Sequence, residues 1–422
     1  MTEVANKRKR GGGATGTDSR AAAVVGDPPL GIVTKTSSPF PTGPNLVHFP
    51  VVETGEILFF NQQNNGSLTL AKLPAQARAE RWALKSVVNK IMPESRTSKC
   101  MVLRAPIPGV GLSPIQVHKT AEHGKAFYTG LLSCGSVWNC PVCAAKVSER
   151  RRQELKQAMS AAKRLGWQAH FVTLTVPHGI GDDLSQIRAL QQKALHRLSS
   201  GKNAIKSQLE SRGISQHGYV RAYEITHGQN GFHPHFHIIL FTSAASSDLI
   251  HSLYAPAWRK ACVSVGLPEP SLKHGCTVQD GSYASEYASK WGIEDEMTKA
   301  NQKQSKRKGV SPWGLLRAAL DGDNSDYPPD RAISLFRVYS GCMTGARQLY
   351  WSNGLRAKLA LSTEMTDEQL AEKITDETSR HIASITMEQW RPILKNKAEA
   401  SILAAIESLP EGADKLIGQQ II

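Results

Sequence analysis

Three histidines occupy every second position in His233-Pro-His235-Phe-His237-Ile-Ile-Leu-Phe241. Alternate side chains of a β-strand share a face, so the spacing predicts that the three imidazoles point one way while Phe236, Ile238 and Leu240 enter a core. Neutral imidazoles suit a divalent cation, and two or three of them leave coordination open, as catalysis requires. The segment Tyr219–Thr226 also alternates, and His227-Gly-Gln-Asn-Gly231 is a turn signal, so the two segments form a hairpin. In a regular register Glu224 reaches the same ion from the neighbouring strand; the alternative is a solvated, outward carboxylate.

A second group lies downstream. In Gly281-Ser-Tyr283-Ala-Ser-Glu-Tyr287-Ala-Ser-Lys290-Trp291, Tyr283, Tyr287 and Lys290 share one face of a helix. A phenol near pKa 10 is a poor nucleophile until a neighbour or a metal assists it, and Lys290 can stabilise both a phenolate and a phosphate oxygen. Tyrosines at this spacing are more often packing residues, so the motif draws its force from the histidine strand. A phenol attacking a phosphodiester gives a phosphotyrosine link, with a metal as Lewis acid and template. That chemistry is nicking and strand transfer on single-stranded DNA.

A third group is the run Cys134-Gly-Ser-Val-Trp-Asn-Cys140-Pro-Val-Cys143. The Cys-x-x-Cys knuckle brings two thiolates to one tetrahedral ion, and a closed structural zinc site needs four ligands. Cys100 is the expected fourth and His123 the reserve; the alternative is a set of buried reduced thiols. Cys262, Cys276 and Cys342 are scattered and read as core. Seven cysteines in 422 residues argue against a secreted disulfide scaffold and for a reducing compartment.

Several elements must position these groups. Helical periodicity covers Leu73–Ile91, Glu149–Leu165, Leu184–Leu198, Ser247–Val265 and Ser282–Trp291, and strand patterns cover Ala126–Leu132 and His170–Val176. The mixture predicts an α+β fold: an antiparallel sheet with helices packed on one face, preceded by a small Cys-rich zinc module and followed by a helical C-terminal region. The expected divisions are a disordered basic arm over 1–45, a zinc-module region over 46–148 and a catalytic domain over 149–300. A linker and C-terminal segment would cover 301–362, with an acidic helical tail over 363–422. A net charge of +15 points to a polyanion partner, and the basic helix Glu149–Leu165 (Arg150, Arg151, Arg152, Lys156, Lys163, Arg164) is expected to bind phosphates. No run approaches the ~20 apolar residues of a membrane helix, and the N-terminus lacks the apolar core of a secretory signal.

The runs Phe171-Val-Thr-Leu-Thr-Val-Pro-His178, His233–Phe241 and Tyr287-Ala-Ser-Lys290 together resemble, in order, the three motifs of the rolling-circle replication initiators. These are the HUH endonucleases, named for His-hydrophobic-His. The Cys134–Cys143 run and Gly345-Ala-Arg-Gln-Leu-Tyr-Trp-Ser-Asn-Gly-Leu-Arg356 look like the bacterial plasmid Rep branch, and the resemblance covers roughly residues 98 to 358. It implies His235 and His237 as ligands of Mg²⁺ or Mn²⁺, Tyr287 as nucleophile and Lys290 as its assistant; Glu224 corresponds loosely to a third ligand seen in some viral relatives. It further implies a nick at a single-stranded or hairpin origin, a 5′ end held on tyrosine and a free 3′-OH that primes synthesis. Implied with these are host helicase and polymerase partners, a homodimer and a bacterial cytoplasmic location. Many plasmid relatives carry a glutamate four residues before the tyrosine, where this chain has Tyr283. The pair is similar to that of phage initiators with two alternating nucleophiles; the alternative is that Tyr283 packs and Glu286 is the base. The competing readings are an HUH transposase and a non-catalytic, zinc-dependent DNA-binding protein.

Overall fold

The computed structural model describes residues 46–50, 57–62, 68–70, 74–121, 124–290, 309–322, 324, 326–372 and 379–409, with side chains from 76 and, in the helix ending at 290, as far as Tyr287. The arm 1–45, His123, the basic linker residues Lys303, Lys306, Arg307 and Lys308, and the last residues of the tail lie outside the described residues.

The centre of the chain is an antiparallel sheet. Counting in chain order the elements that matter here, the strands are β1 (Ile115–Lys119), β2 (Ala126–Thr129), β3 (Gln168–Leu174), β4 (Gln216–Gly228), β5 (Gly231–Thr242), β6 (Cys276–Gln279), β7 (Leu349–Trp351) and β8 (Arg380–Ile385). The helices are α1 (Pro74–Ile91), α2 (Pro141–Arg164), α3 (Leu184–Ser199), α4 (Ser247–Ser264), α5 (Gly281–Lys290) and α6 (Glu399–Ser408). The sheet has the order β6-β3-β5-β4-β7. Its longest strands, β4 and β5, are joined by the two residues Gln229 and Asn230, so every pair from Gly228↔Gly231 to Gly218↔Phe241 keeps one register. Gly231 sits at φ +84°, and a Cβ there would meet the Gly179 carbonyl oxygen at 2.9 Å, so only glycine fits this turn.

Helices cover both faces of the sheet, not one. On one face Val172, Leu174, Tyr223, Phe236, Ile238 and Leu240 pack with Leu184, Ile187 and Leu195 of α3 and Ile250, Leu253 and Trp258 of α4. On the other, Phe171, Val220, Ala222, Ile239 and Phe241 meet Leu155, Ala158, Ala161 and Ala162 of α2 and Ala284 of α5. Each large aliphatic side chain so buried contributes roughly 1.5–3 kcal/mol. Alanines along α2 and Ala284 of α5 let both helices lie close over this second face.

Three further sequence expectations change. The helix expected to start at Glu149 starts at Pro141, with Cys140 as its cap and proline at its first position, and runs 24 residues. It therefore crosses the expected boundary at 148/149 and joins the cysteine cluster to the sheet as one rod. The segment 301–362 is not a separate unit, because β7 is the fifth strand of the sheet, pairing Tyr350 with Arg221. The tail is not all helix: β8 pairs with β1 in a three-stranded sheet with β2, and α6 packs on the same region. A strand with partners more than 260 residues away leaves no local period to read. Among the described residues, no helix is long and apolar enough to cross a membrane.

Candidate functional site

Three ligand-bearing groups meet on the second sheet face. His235 lies directly opposite Glu224 in the β4–β5 register, and His237 follows two residues on. The Glu224 Oε2 atom is 3.5 Å from Nε2 of His235 and 3.3 Å from Nε2 of His237. Each ring is fixed from its other nitrogen. Nδ1 of His235 is 3.2 Å from the His233 carbonyl oxygen, to which it must donate, and Nδ1 of His237 is 3.0 Å from the Thr173 hydroxyl. With its proton on Nδ1, His235 turns a lone pair on Nε2 towards a carboxylate oxygen. That contact needs positive charge against the carboxylate, supplied either by a second proton on Nε2 or by a cation bound between the groups. The three groups could therefore hold a metal ion: their ligand atoms lie within 4.8 Å of one another. Burial acts to raise the Glu224 carboxyl, but the facing His237 and His235 outweigh it and hold it well below the usual carboxylate range, so it stays ionised.

The tyrosine helix completes the site. The Tyr287 hydroxyl donates to Glu224 Oε1 at 2.6 Å, and its ring lies 4.6 Å from Phe171 and 5.1 Å from the His237 ring. One carboxylate thus touches the tyrosine with one oxygen and both imidazoles with the other. Tyr283, one turn earlier on α5, packs 5.2 Å from Phe171 and is 43% exposed, with its bulk over the rim of the site. Glu286 is exposed on α5. The backbone of α5 includes Lys290, whose side chain lies outside the described residues.

His233 shares the face but not the ligand group. Its Nδ1 lies 3.3 Å from Nδ1 of His178, and its ring stacks 4.9 Å from His235. Burial, reinforced by the neighbouring His235, His178 and His237, brings its pKa down to about 4, so it is neutral near pH 7. Sequence reasoning did not single out Thr173, Phe171 or His178 as site residues, although all three lie in the Phe171–His178 run. In a strand that alternates, Phe171 and Thr173 had to share the histidine face.

The cysteines form a second group. Cys100, Cys134, Cys140 and Cys143 are buried and reduced, with Sγ atoms 3.4 Å apart for Cys100 and Cys143 and 3.8 Å for both Cys134–Cys143 and Cys140–Cys100. Backbone N–H groups of Cys134, Ser136 and Cys143 donate to these sulfurs at 3.4–3.5 Å, which favours thiolates. Four converging thiols could hold a metal ion. Cys262, Cys276 and Cys342 are buried elsewhere.

Three of the six basic residues of the helix expected to bind phosphates are engaged within the chain. Arg151 is buried against Glu154, Asp367 and Glu364, Arg152 pairs with Glu149, and Arg150 donates to the Leu370 carbonyl. Arg150 and Arg151 thus tie the helix to residues 364–370, while Arg152 is paired within the helix itself. Lys156, Lys163 and Arg164 remain exposed.

A family of proteins described as "Replication protein" matches residues 133–251, which span the last cysteines, β3 and the β4–β5 hairpin. A Streptomyces lividans protein named "Protein rep" is 26% identical over 380 residues, covering 73% of this chain and 82% of its own length. A Streptomyces cyanogenus protein named "Neomycin resistance protein" is 34% identical over 139 residues, covering 28% of this chain and 32% of its own. No solved structure matches the chain.

Proposed function

We propose, from the premise that this chain is a Rep-type replication protein, that it starts plasmid rolling-circle replication by nicking one strand of origin DNA through Tyr287. The observation that carries this reading is the shared carboxylate: Glu224 accepts the Tyr287 hydrogen bond at 2.6 Å while its other oxygen faces the Nε2 atoms of His235 and His237. The donor set of two imidazoles and one carboxylate fits Mg²⁺ or Mn²⁺. Such an ion, when bound, supplies Lewis-acid stabilisation of charge on the scissile phosphate.

The chain's own residues supply the rest. Glu224 fixes the phenol oxygen at the edge of the histidine face and accepts its proton as the oxygen–phosphorus bond forms. The bond from phosphorus to the 3′ oxygen breaks, the 5′ phosphate stays on Tyr287, and the departing 3′ oxygen takes a proton to become a primer hydroxyl. Thr173 and the His233 carbonyl hold the imidazoles in place throughout. Tyr283, exposed one turn away, serves as the second nucleophile, taking a later strand so that termination rejoins DNA without water. The four thiols hold zinc: tetrahedral Zn–S bonds of about 2.3 Å place sulfurs about 3.8 Å apart, close to the spacing seen. This zinc is structural, anchoring α2. Origin DNA, a host helicase and a polymerase are the partners of this activity, in the bacterial cytoplasm.

The test is a labelled single-stranded origin oligonucleotide incubated with protein and Mn²⁺ and resolved under denaturing conditions. The native chain gives a covalent adduct and Tyr287→Phe gives none; an undiminished adduct in Tyr287→Phe overturns the assignment. Tyr283→Phe is expected to keep first nicking within about 3-fold and lose the second transfer.

A further inference from the structure

The opposite face of the sheet carries a cavity of its own. We propose that the cavity behind the catalytic histidines, around Arg221 and Tyr350, binds a nucleotide, with its phosphate on Arg221 and its base among the tyrosines. The inference does not rest on the nicking reading.

Alternation along β4 sends Ala222 and Glu224 to the histidine face and Arg221 to the opposite one. There a cavity of about 460 Å³ opens, of the size that holds small ligands. Tyr219, Tyr254 and Tyr350 line it together with Arg221, Lys358 and His217, and no aspartate or glutamate does.

Arg221 is the unusual member. It is half-buried, and its guanidinium lies 4.8 Å from the ring centre of Tyr350, its direct cross-strand neighbour, and 5.7 Å from that of Phe236. Both rings lie within 6 Å of the guanidinium carbon, and neither offers a hydrogen-bond acceptor in the way a carboxylate would. Among the described residues no carboxylate pairs with it and it donates no hydrogen bond. The contrast with Arg151 and Arg356 is direct: those buried guanidiniums have Glu154 or Asp367 within 3.2 Å. A guanidinium drawn out of water, held by stacking and denied a carboxylate, suits an anion with two oxygens in one plane. Lys358, whose Nζ donates to the His217 carbonyl at 3.0 Å, adds positive charge at the rim. Lys206 is also at the rim but is shared with Glu210 at 3.7 Å.

The aromatic walls point to more than a bare anion. The Tyr219 and Tyr350 rings stand 6.0 Å apart at 39°, offering a stacking surface beside the guanidinium. A phosphate next to a flat ring is the chemistry of a nucleotide. It can come from a unit of a DNA strand or from a free mononucleotide. The site and the nicking centre share β4, Arg221 lying three residues from Glu224.

The test uses the full chain carrying His235→Ala and His237→Ala, without added divalent metal, so that the catalytic face contributes no metal-dependent site and loss of nicking is a separate result. Calorimetric titration with dTMP is expected to show one saturable site, with deoxythymidine and inorganic phosphate each binding at least roughly 10-fold more weakly. Arg221→Gln is expected to weaken dTMP at least roughly 10-fold with an unchanged circular dichroism spectrum. If that variant unfolds, the exposed Lys358→Gln carries the test with a loss of roughly 3-fold or more. Competition by a (dT)6 strand that the same variant weakens assigns the site to a strand; dTMP binding without such competition assigns it to the free mononucleotide. Absence of saturable binding by either probe, or binding that the folded variants leave unchanged, overturns the proposal.

Discussion

The two candidate metal centres of this chain are built in opposite ways. The four cysteines come from loops and from the cap and first turn of α2, and each is at most 6% exposed. Their sulfurs close on one another with no face left over. The Glu224–His235–His237 group stands on a flat hairpin, its side chains 29%, 12% and 15% exposed, with a tyrosine against the outer edge. A closed shell serves to hold chain segments together, whereas an open one admits a substrate. The rod α2 ties the two: the thiols sit at its start, and its later alanines press on the same sheet face that carries the histidines.

The comparison breaks most visibly at the cysteines. Cys143→Ser removes a ligand from a buried set and leaves three thiols to share an uncompensated site. We expect the zinc content to fall well below one per chain by atomic spectroscopy. The thermal midpoint should drop by at least about 6 °C, the result of losing more than about 3 kcal/mol. Retention of zinc and midpoint would make the cluster an ordinary core. The paired change His235→Ala with His237→Ala should do the reverse, lowering nicking by about 10³-fold while the midpoint stays within about 2 °C. If that pair instead unfolds the protein, the histidine group is structural and the contrast fails.

The two centres also differ in how far they could be read from sequence. Cys134, Cys140 and Cys143 are near neighbours, and the knuckle spacing alone declares them. His235 and His237 are declared by strand alternation, and Tyr283 and Tyr287 by helical spacing. Glu224 needed more: its meeting with His235 depends on the turn being two residues long, since one residue more would move it off the histidine face. The parts that stayed hidden depend on distant partners. Nothing around Leu349–Trp351 or Arg380–Ile385 declares which strand each will pair with, and Arg150, Arg151 and Arg152 look like part of a DNA-binding stripe until the Leu370 carbonyl, Glu154 with Asp367, and Glu149 take them up.

Thr173 sharpens the contrast at smaller scale. Its hydroxyl is the partner of His237 Nδ1, so Thr173→Val keeps the shape of the strand and frees the ring to turn. We expect metal-dependent nicking to fall about 10- to 100-fold, with zinc content unchanged. Equal loss from both centres would show that the effect travels through folding.

The smallest expected effect concerns His233, which shares the open face without joining the ligands. Its folded pKa of about 4 lies below the ordinary histidine value of about 6.5. Between those values the unfolded chain holds more protons than the folded one, so stability rises with pH across the window. The contribution is fully present above about pH 6.5 and is lost as pH falls towards 4. The full shift would correspond to about 3 kcal/mol, but the ring is only half-buried, and solvent screening reduces this to about 1 kcal/mol. His233→Gln removes the titrating group, so urea midpoints measured without added divalent metal at pH 7, 6, 5 and 4 should fall less steeply for the variant than for the native chain. The depressed carboxyl of Glu224 and the likewise lowered His118, His170, His217 and His227 are common to both proteins, so the difference in slope between the two belongs to His233. Parallel curves from pH 6.5 to 4.5 would mean that His233 titrates in water and is not packed against His178 and His235.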